Sequence, residues 1–314
     1  MGGDELPPKK PRTNGRGGDP MMEILQVIFS GLLTGMVYAL LGLGIVMIFK
    51  ASEAFNFAVG EFLVIGAFLF FILFFDLKLP FIVALLGGLG LSGLFAAAVE
   101  RLTIQPLLGR NPISMTIITL GLASFLRAIV QLVFGAHSYS FSLDLPDLTL
   151  EIGDMIFLSE QVWASLLSGC TFGLVMLFLF RTRWGVAIRA TSESQAKAMA
   201  YGINARLILV VVWSLSAACI AIAGIAISNF GSLTYLTAMV GFRAIPVVLV
   251  GGMDSIGGAL AGGLIVGLCE AFVGAYIEPM GLIGFKNVAP YILLLLVLLV
   301  RPYGLFGTVR IERV

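Results

Sequence analysis

Residues 181–229 read RTRWGVAIRATSESQAKAMAYGINAR followed by LILVVVWSLSAACIAIAGIAISN, a polar, basic stretch that runs straight into a charge-free one. A hydrocarbon core about 30 Å thick is crossed by roughly 20 apolar helical residues, because lipid offers no partner for backbone polar groups. Leu207 to Asn229 meets that length. The second half is therefore a membrane span, and the first half lies at a membrane surface.

The same pattern recurs along the chain. Further apolar runs are Glu23 to Phe49, Asn56 to Phe75, Phe81 to Val99, Ile113 to Gly135, Gln161 to Phe180, Leu236 to Val250, Gly257 to Ile277 and Val288 to Val300. Two are irregular: Leu236 to Val250 is short and holds Arg243 and Pro246, and Asn56 to Phe75 opens on polar and glycine residues, as a broken or re-entrant helix would. The expected fold is all-α, a polytopic transmembrane bundle of about eight or nine spans. Composition agrees. The 314 residues are 59% hydrophobic and 12% charged, against roughly 45–50% and 25% in soluble domains.

We expect residues 1–21 to form a disordered hydrophilic tail, 22–307 the membrane domain and 308–314 a cytoplasmic tail. Lys/Arg bias sets the orientation. With a cytoplasmic opening segment expected, the inner loops hold Lys50, Arg101, Arg110, Arg181, Arg183, Arg189, Lys197, Arg206, Arg301, Arg310 and Arg313. Apart from the tail, the outer loops hold only Lys78 and Lys286. The longest outer connection carries Asp144, Asp147, Glu151 and Asp154 and reads as a solvated acidic loop. Small residues four apart, Gly31/Gly35, Ala217/Ala221, Gly258/Gly262 and Gly263/Gly267, suit close packing between helices of this chain.

Several function classes drop out. A net charge of +1 gives no nucleic-acid footprint. The single histidine, His137, and the scattered Cys170, Cys219 and Cys269 offer no metal or catalytic constellation. We therefore expect no catalytic residue, metal ligand or cofactor here. The turn Gly251-Gly252-Met253-Asp254-Ser255-Ile256-Gly257-Gly258 is glycine-rich, yet the sequence contains no Gly-Lys dipeptide, so it holds no phosphate-binding loop.

Polar groups inside spans mark pathways or helix breaks. Candidates are Asn56, Glu61, Arg127, Arg243, Gly251 and Gly252, with Glu270 as a further intramembrane acid. Glu61 fits equally a place at the positive end of its own helix. A Glu61–Arg243 ion pair is one expectation. In the polar stretch, Ser192 and Gln195 fit a capping box, Glu193 and Lys197 an i,i+4 pair, and Gly202 a helix end, giving a helix from Glu193 to Tyr201. Ala196, Met199 and Ala200 share one face of it. By itself this is equally an interfacial linker or a docking helix. A transporter without a nucleotide loop runs on an ion gradient or borrows an ATPase. The first needs several acidic or histidine residues in spans, where only Glu61 and Glu270 stand; the second needs a cytoplasmic docking helix, which is present.

Five motifs in order, Phe55 to Glu61, Glu100 to Leu107, Gly185 to Gly202, Val250 to Gly258 and Arg301 to Gly307, resemble the permease family of branched-chain amino acid ABC importers, in its shorter type. The resemblance runs from about Met22 to Gly307. It implies two related halves with discontinuous helices near Asn56 and Gly251, and a place in a bacterial inner membrane. It implies as partners a second homologous permease, two cytoplasmic ATPases that hydrolyse the ATP, and an extracytoplasmic binding protein. The solute it implies is a branched-chain or hydrophobic amino acid, or a related amide, urea or carboxylate. Glu193, Ala196, Lys197, Ala198, Ala200 and Gly202 would then form the coupling helix. Val59 stands where the family often has a polar residue, which implies a more apolar solute.

Overall fold

The computed structural model describes residues 20–107, 112–140, 143, 146–152 and 155–308. The expected tail up to residue 19, the basic residues Arg110, Arg310 and Arg313, the acidic residues Asp144 and Asp154 and the last six residues lie outside these. Pro20 and Met21, expected in the tail, are already helical.

Helix α1 (Pro20–Ser52) leads to α2 (Val59–Phe71), α3 (Phe81–Val99) and α4 (Pro112–Phe134), with short π-helical turns ending α2 and α3. A short strand β1 (Tyr139–Ser140) and a hairpin of β2 (Leu150–Ile152) and β3 (Met155–Phe157) precede α5 (Ser159–Arg181). The surface helices α6 (Arg183–Glu193) and α7 (Gln195–Ala200) follow, then α8 (Ala205–Asn229). Strand β4 (Ser232–Leu233) pairs antiparallel with β1. The chain closes with a 3₁₀ stretch (Tyr235–Arg243) continuing into α9 (Ala244–Gly251), then α10 (Ile256–Phe272) and α11 (Ala289–Val300).

Among the described residues, seven helices are long and apolar enough to cross a membrane, and two shorter apolar ones, Tyr235–Gly251 and Phe285–Val300, join them. The first of these shorter helices owes its reach to geometry. Nine residues in 3₁₀ form rise about 2 Å each, so the whole extends about 30 Å, although its apolar run is short.

Helix α1 is the axis of the bundle. It is buried from Val37 to Ile48 and packs chiefly against α10, α8 and α5. The expected small-residue packing occurs here: a Cβ on Gly31 would lie 2.9 Å from Leu268 Cα, and one on Gly35 2.9 Å from Leu264 Cα, so α10 meets α1 backbone to backbone. Ala221 does the same against Gly66 of α2. Among the spans α4 is the least buried, its exposed side carrying Ile113, Ile117, Phe125 and Ile129. Of the cysteines, Cys219 is a buried apolar filler, whereas Cys170 faces outward from α5.

The ends of α1 fix the two faces. Near its start, Gln26 donates to the Ile156 carbonyl and Phe29 meets Phe157 on the hairpin. At its end, Lys50 donates to the Asp254 carbonyl at 2.9 Å and the Ala51 carbonyl accepts from Gln195 at 2.9 Å. The second end gathers the basic segments and is the inner face. The expectation of a cytoplasmic opening segment is thereby overturned: α1 crosses the bundle, so Pro20 lies on the face opposite Lys50.

Candidate functional site

The loop between α1 and α2 enters the bundle in non-helical form. Asn56 is buried, and its Oδ1 accepts from the Ala58 amide at 3.0 Å, turning the chain into α2. Glu61 follows in the first turn of α2, where the helix dipole favours a negative group, and is only 2% exposed. Arg127 of α4 donates to its Oε1 twice, from Nε at 2.9 Å and Nη2 at 2.7 Å. One turn-pair earlier on α4, Thr119 accepts from the Phe57 amide and donates to the Phe55 carbonyl. These polar bonds add to an apolar attachment of α4 through buried Leu122, Leu126 and Val130 and the Phe134–Phe68 stack. Just beside Glu61, Gly60 crosses Gly241 and Ala238 of the 3₁₀ stretch so closely that a Cβ on either glycine would strike backbone.

Arg243 does not pair with Glu61, as the sequence reading expected. The 3₁₀ stretch turns it toward α1 and α10, where its Nη1 donates to the Tyr38 hydroxyl at 2.7 Å and lies 3.5 Å from Glu270 Oε2. The Tyr38 hydroxyl in turn donates to Glu270 Oε2 at 2.7 Å, and Arg243 Nη2 donates to Asn287 Oδ1 at 2.6 Å. Beside this network is a cavity of about 370 Å³ near the outer face, bounded by α1, the start of α5, the end of α8, the 3₁₀ stretch and α10. Tyr38 and Asn287 were missed from the sequence. A tyrosine inside a span was the available signal, since its hydroxyl needs a partner there.

Gly251 and Gly252 lie elsewhere, at the inner end. The closing segment Arg301 to Gly307 folds back on them, Leu305 and Phe306 donating to the carbonyls of Val250 and Gly251 at 2.8 and 3.0 Å. Gly252 has φ +108°, open to glycine but not to other residues, and a side chain there would also strike Gly307. Asp254 holds Thr308, so the first residue of the expected cytoplasmic tail is part of this knot. The six pathway candidates therefore divide into three places: Asn56, Glu61 and Arg127 together, Arg243 at the outer cavity, and the two glycines at the inner turn.

The polar inner segment also differs from expectation. Ser192 bonds back to the Ile188 carbonyl, and the cap is Ser194, whose Oγ accepts from the Lys197 amide at 3.3 Å. The chain breaks there, so Glu193 ends α6 while Lys197 belongs to α7, and the single Glu193–Tyr201 helix is two helices. Ala198 is buried and unavailable to a partner, whereas Ala196, Lys197, Met199, Ala200 and Gly202 are exposed. Gly202 ends α7 at φ +83°, as its position suggested. Gln195 ties α7 to the last turn of α1. Glu100, in the second resemblance motif, is fully buried with neither carboxylate oxygen hydrogen-bonded.

Residues 27–300 match the model of a family described as branched-chain amino acid transport system, permease component. The chain is 28% identical to the high-affinity branched-chain amino acid transport system permease protein LivH of Escherichia coli (strain K12), over 94% of this chain and 99% of that one. It is 29% identical to the corresponding permease protein BraD of Pseudomonas aeruginosa, over 92% and 98%. Among solved structures, PsaBC from Streptococcus pneumoniae aligns with 87% of this chain and 86% of its own at 14% identity, with a TM-score of 0.42.

Proposed function

Since this chain belongs to the branched-chain amino acid transport permease family, we propose that it is the membrane-spanning subunit of an ABC importer in the inner (plasma) membrane, moving branched-chain or other hydrophobic amino acids. Its partners are cytoplasmic ATPases, an extracytoplasmic binding protein and a second, homologous permease. The observation that carries the reading is α7: a short, exposed, small-residue helix on the basic inner face of a chain with no nucleotide loop.

The mechanism is mechanical coupling. The partner ATPases bind and hydrolyse ATP, and their closure presses on Ala196, Lys197, Met199 and Ala200. Ala198 anchors α7 in the bundle, Glu193 ends the preceding helix at the break, and Gly202 lets the chain turn away. The Gln195 bond to the Ala51 carbonyl passes the displacement to α1, the helix on which α5, α8 and α10 all rest. A shift of α1 against α10 opens the outer and inner ends by turns, which is alternating access. Glu61 and Arg127 hold α4 through this movement, and the Gly251–Gly252 knot keeps the inner end a single unit.

The test is reconstitution with the partner subunits in liposomes. Uptake should require ATP, and Gly202→Trp should leave assembly intact while ATP hydrolysis no longer drives uptake. Uptake by the chain without ATPases, or full uptake by the Gly202→Trp transporter, would overturn the proposal.

A further inference from the structure

We propose that the outer cavity beside Arg243 is a subsite for a free amino acid in its zwitterionic form, with Arg243 and Lys286 receiving the carboxylate, Glu270 the ammonium group, and apolar walls the side chain. This deepens the importer reading and rests on it.

The cavity, about 370 Å³, lies at the small end of the usual range for small-molecule sites. Its lining joins the apolar Val37, Ile227, Phe230 and Val240 with the charged Arg243, Glu270 and Lys286. Two cations and one carboxylate in a mostly apolar lining that also holds Thr34, Tyr38 and Gln161 are the complement of an α-amino acid. Arg243 uses Nη1 on Tyr38 and Nη2 on Asn287, which leaves N–H donors of its five for a carboxylate. Lys286 is half-exposed and only loosely held by Glu278 at 3.8 Å.

Glu270 accepts from Tyr38 at Oε2, while its Oε1 is buried with no hydrogen-bond donor at all. Glu61 and Glu100 also bury carboxylate oxygens without a donor, but of the three only Glu270 lines this cavity. A carboxylate oxygen left unpaired in the interior is costly, and an ammonium group removes that cost. A simple carboxylate ligand would satisfy the cations and leave Oε1 unpaired; a simple amine would face two cations. Oε1 is closed to solvent in this conformation, so Glu270 turns about its Tyr38 bond to meet the amine. The cavity's place at the outer end makes it an early stop for solute handed over from outside.

The experiment uses the assembled transporter in nanodiscs, without the binding protein, and radiolabelled leucine competed by 4-methylpentanoate and 3-methylbutylamine. Saturable leucine binding is expected, with both analogues weaker by about tenfold or more. Val240→Phe, which fills the cavity without touching a charge, should abolish it. Glu270→Gln should weaken leucine by about tenfold or more and bring it level with 4-methylpentanoate, while leaving thermal unfolding and subunit assembly in place. If Val240→Phe fails to assemble, the leucine to 4-methylpentanoate ratio in Glu270→Gln decides alone. The subsite falls if wild-type transporter shows no saturable leucine binding, if the two carboxylates compete equally, or if neither variant changes binding. ATP-dependent uptake with the binding protein present, measured on the same preparation, would still stand if only the subsite were wrong.

Discussion

Among the described residues two arginine–glutamate pairs sit in the membrane body, and they are built to opposite ends. Glu61 and Arg127 form a closed pair: both bonds converge on one carboxylate oxygen at the first turn of α2, and they fasten a peripheral helix. Arg243 and Glu270 form an open one, 3.5 Å apart, spread through Tyr38 and Asn287 along a cavity wall. Removing one partner of a buried pair strands the other, whereas a network has substitutes. The first arrangement is a fastening. The second keeps guanidinium donors in reserve beside a cavity, while a buried carboxylate oxygen without a donor is common to both, Glu61 Oε2 and Glu270 Oε1.

The sharpest way to break this contrast is Arg127→Leu, which leaves Glu61 buried without its cation. The expected loss is about 3–5 kcal/mol in unfolding free energy, read by thermal unfolding of the purified protein in detergent. Combining it with Glu61→Gln should cost less than the sum of the single changes; additive losses would mean the two side chains are not coupled. Arg243→Gln should cost less, about 1.5–3 kcal/mol, because Tyr38 still donates to Glu270. A loss as large as that of Arg127→Leu would erase the distinction. Tyr38→Phe should be smaller again, about 0.5–1.5 kcal/mol, and its measurable consequence is a more mobile Glu270 carboxylate, seen as changed leucine affinity. Comparable for stability is Gly202→Ala, about 1 kcal/mol from the left-handed backbone there, checked by the same unfolding measurement. Its effect should appear in coupling while both ion pairs stay intact.

The fold was largely legible. Spans need length and apolarity, both local properties of the chain, so each apolar run reappears as a helix; even the short seventh run does, through 3₁₀ geometry that composition does not encode. The glycine pairs of α1 and α10 were legible as packing surfaces because their spacing is local too. The site was legible only as a set of residues. Glu61, Arg127, Arg243 and Glu270 stand out as charges in apolar runs, yet nothing in their spacing tells which faces which, and the expected Glu61–Arg243 pair was wrong for that reason. Ser192 had the capping-box spacing with Gln195, yet the cap is Ser194, and Gln195 bonds the end of α1 instead.

Sequence alone determined that this is a polytopic membrane protein with a basic inner face, a polar inner segment ending at Gly202 and a family resemblance spread over nearly its whole length. Hydrophobic length and charge bias act residue by residue, so they survive without a structure. Tertiary structure alone decided that α4 is fastened by Glu61, that Ala198 is hidden from any partner, and that Tyr38, Arg243, Glu270 and Asn287 meet beside one cavity. Those outcomes depend on how helices distant in sequence pack about α1, which meets α10 through close glycine contacts.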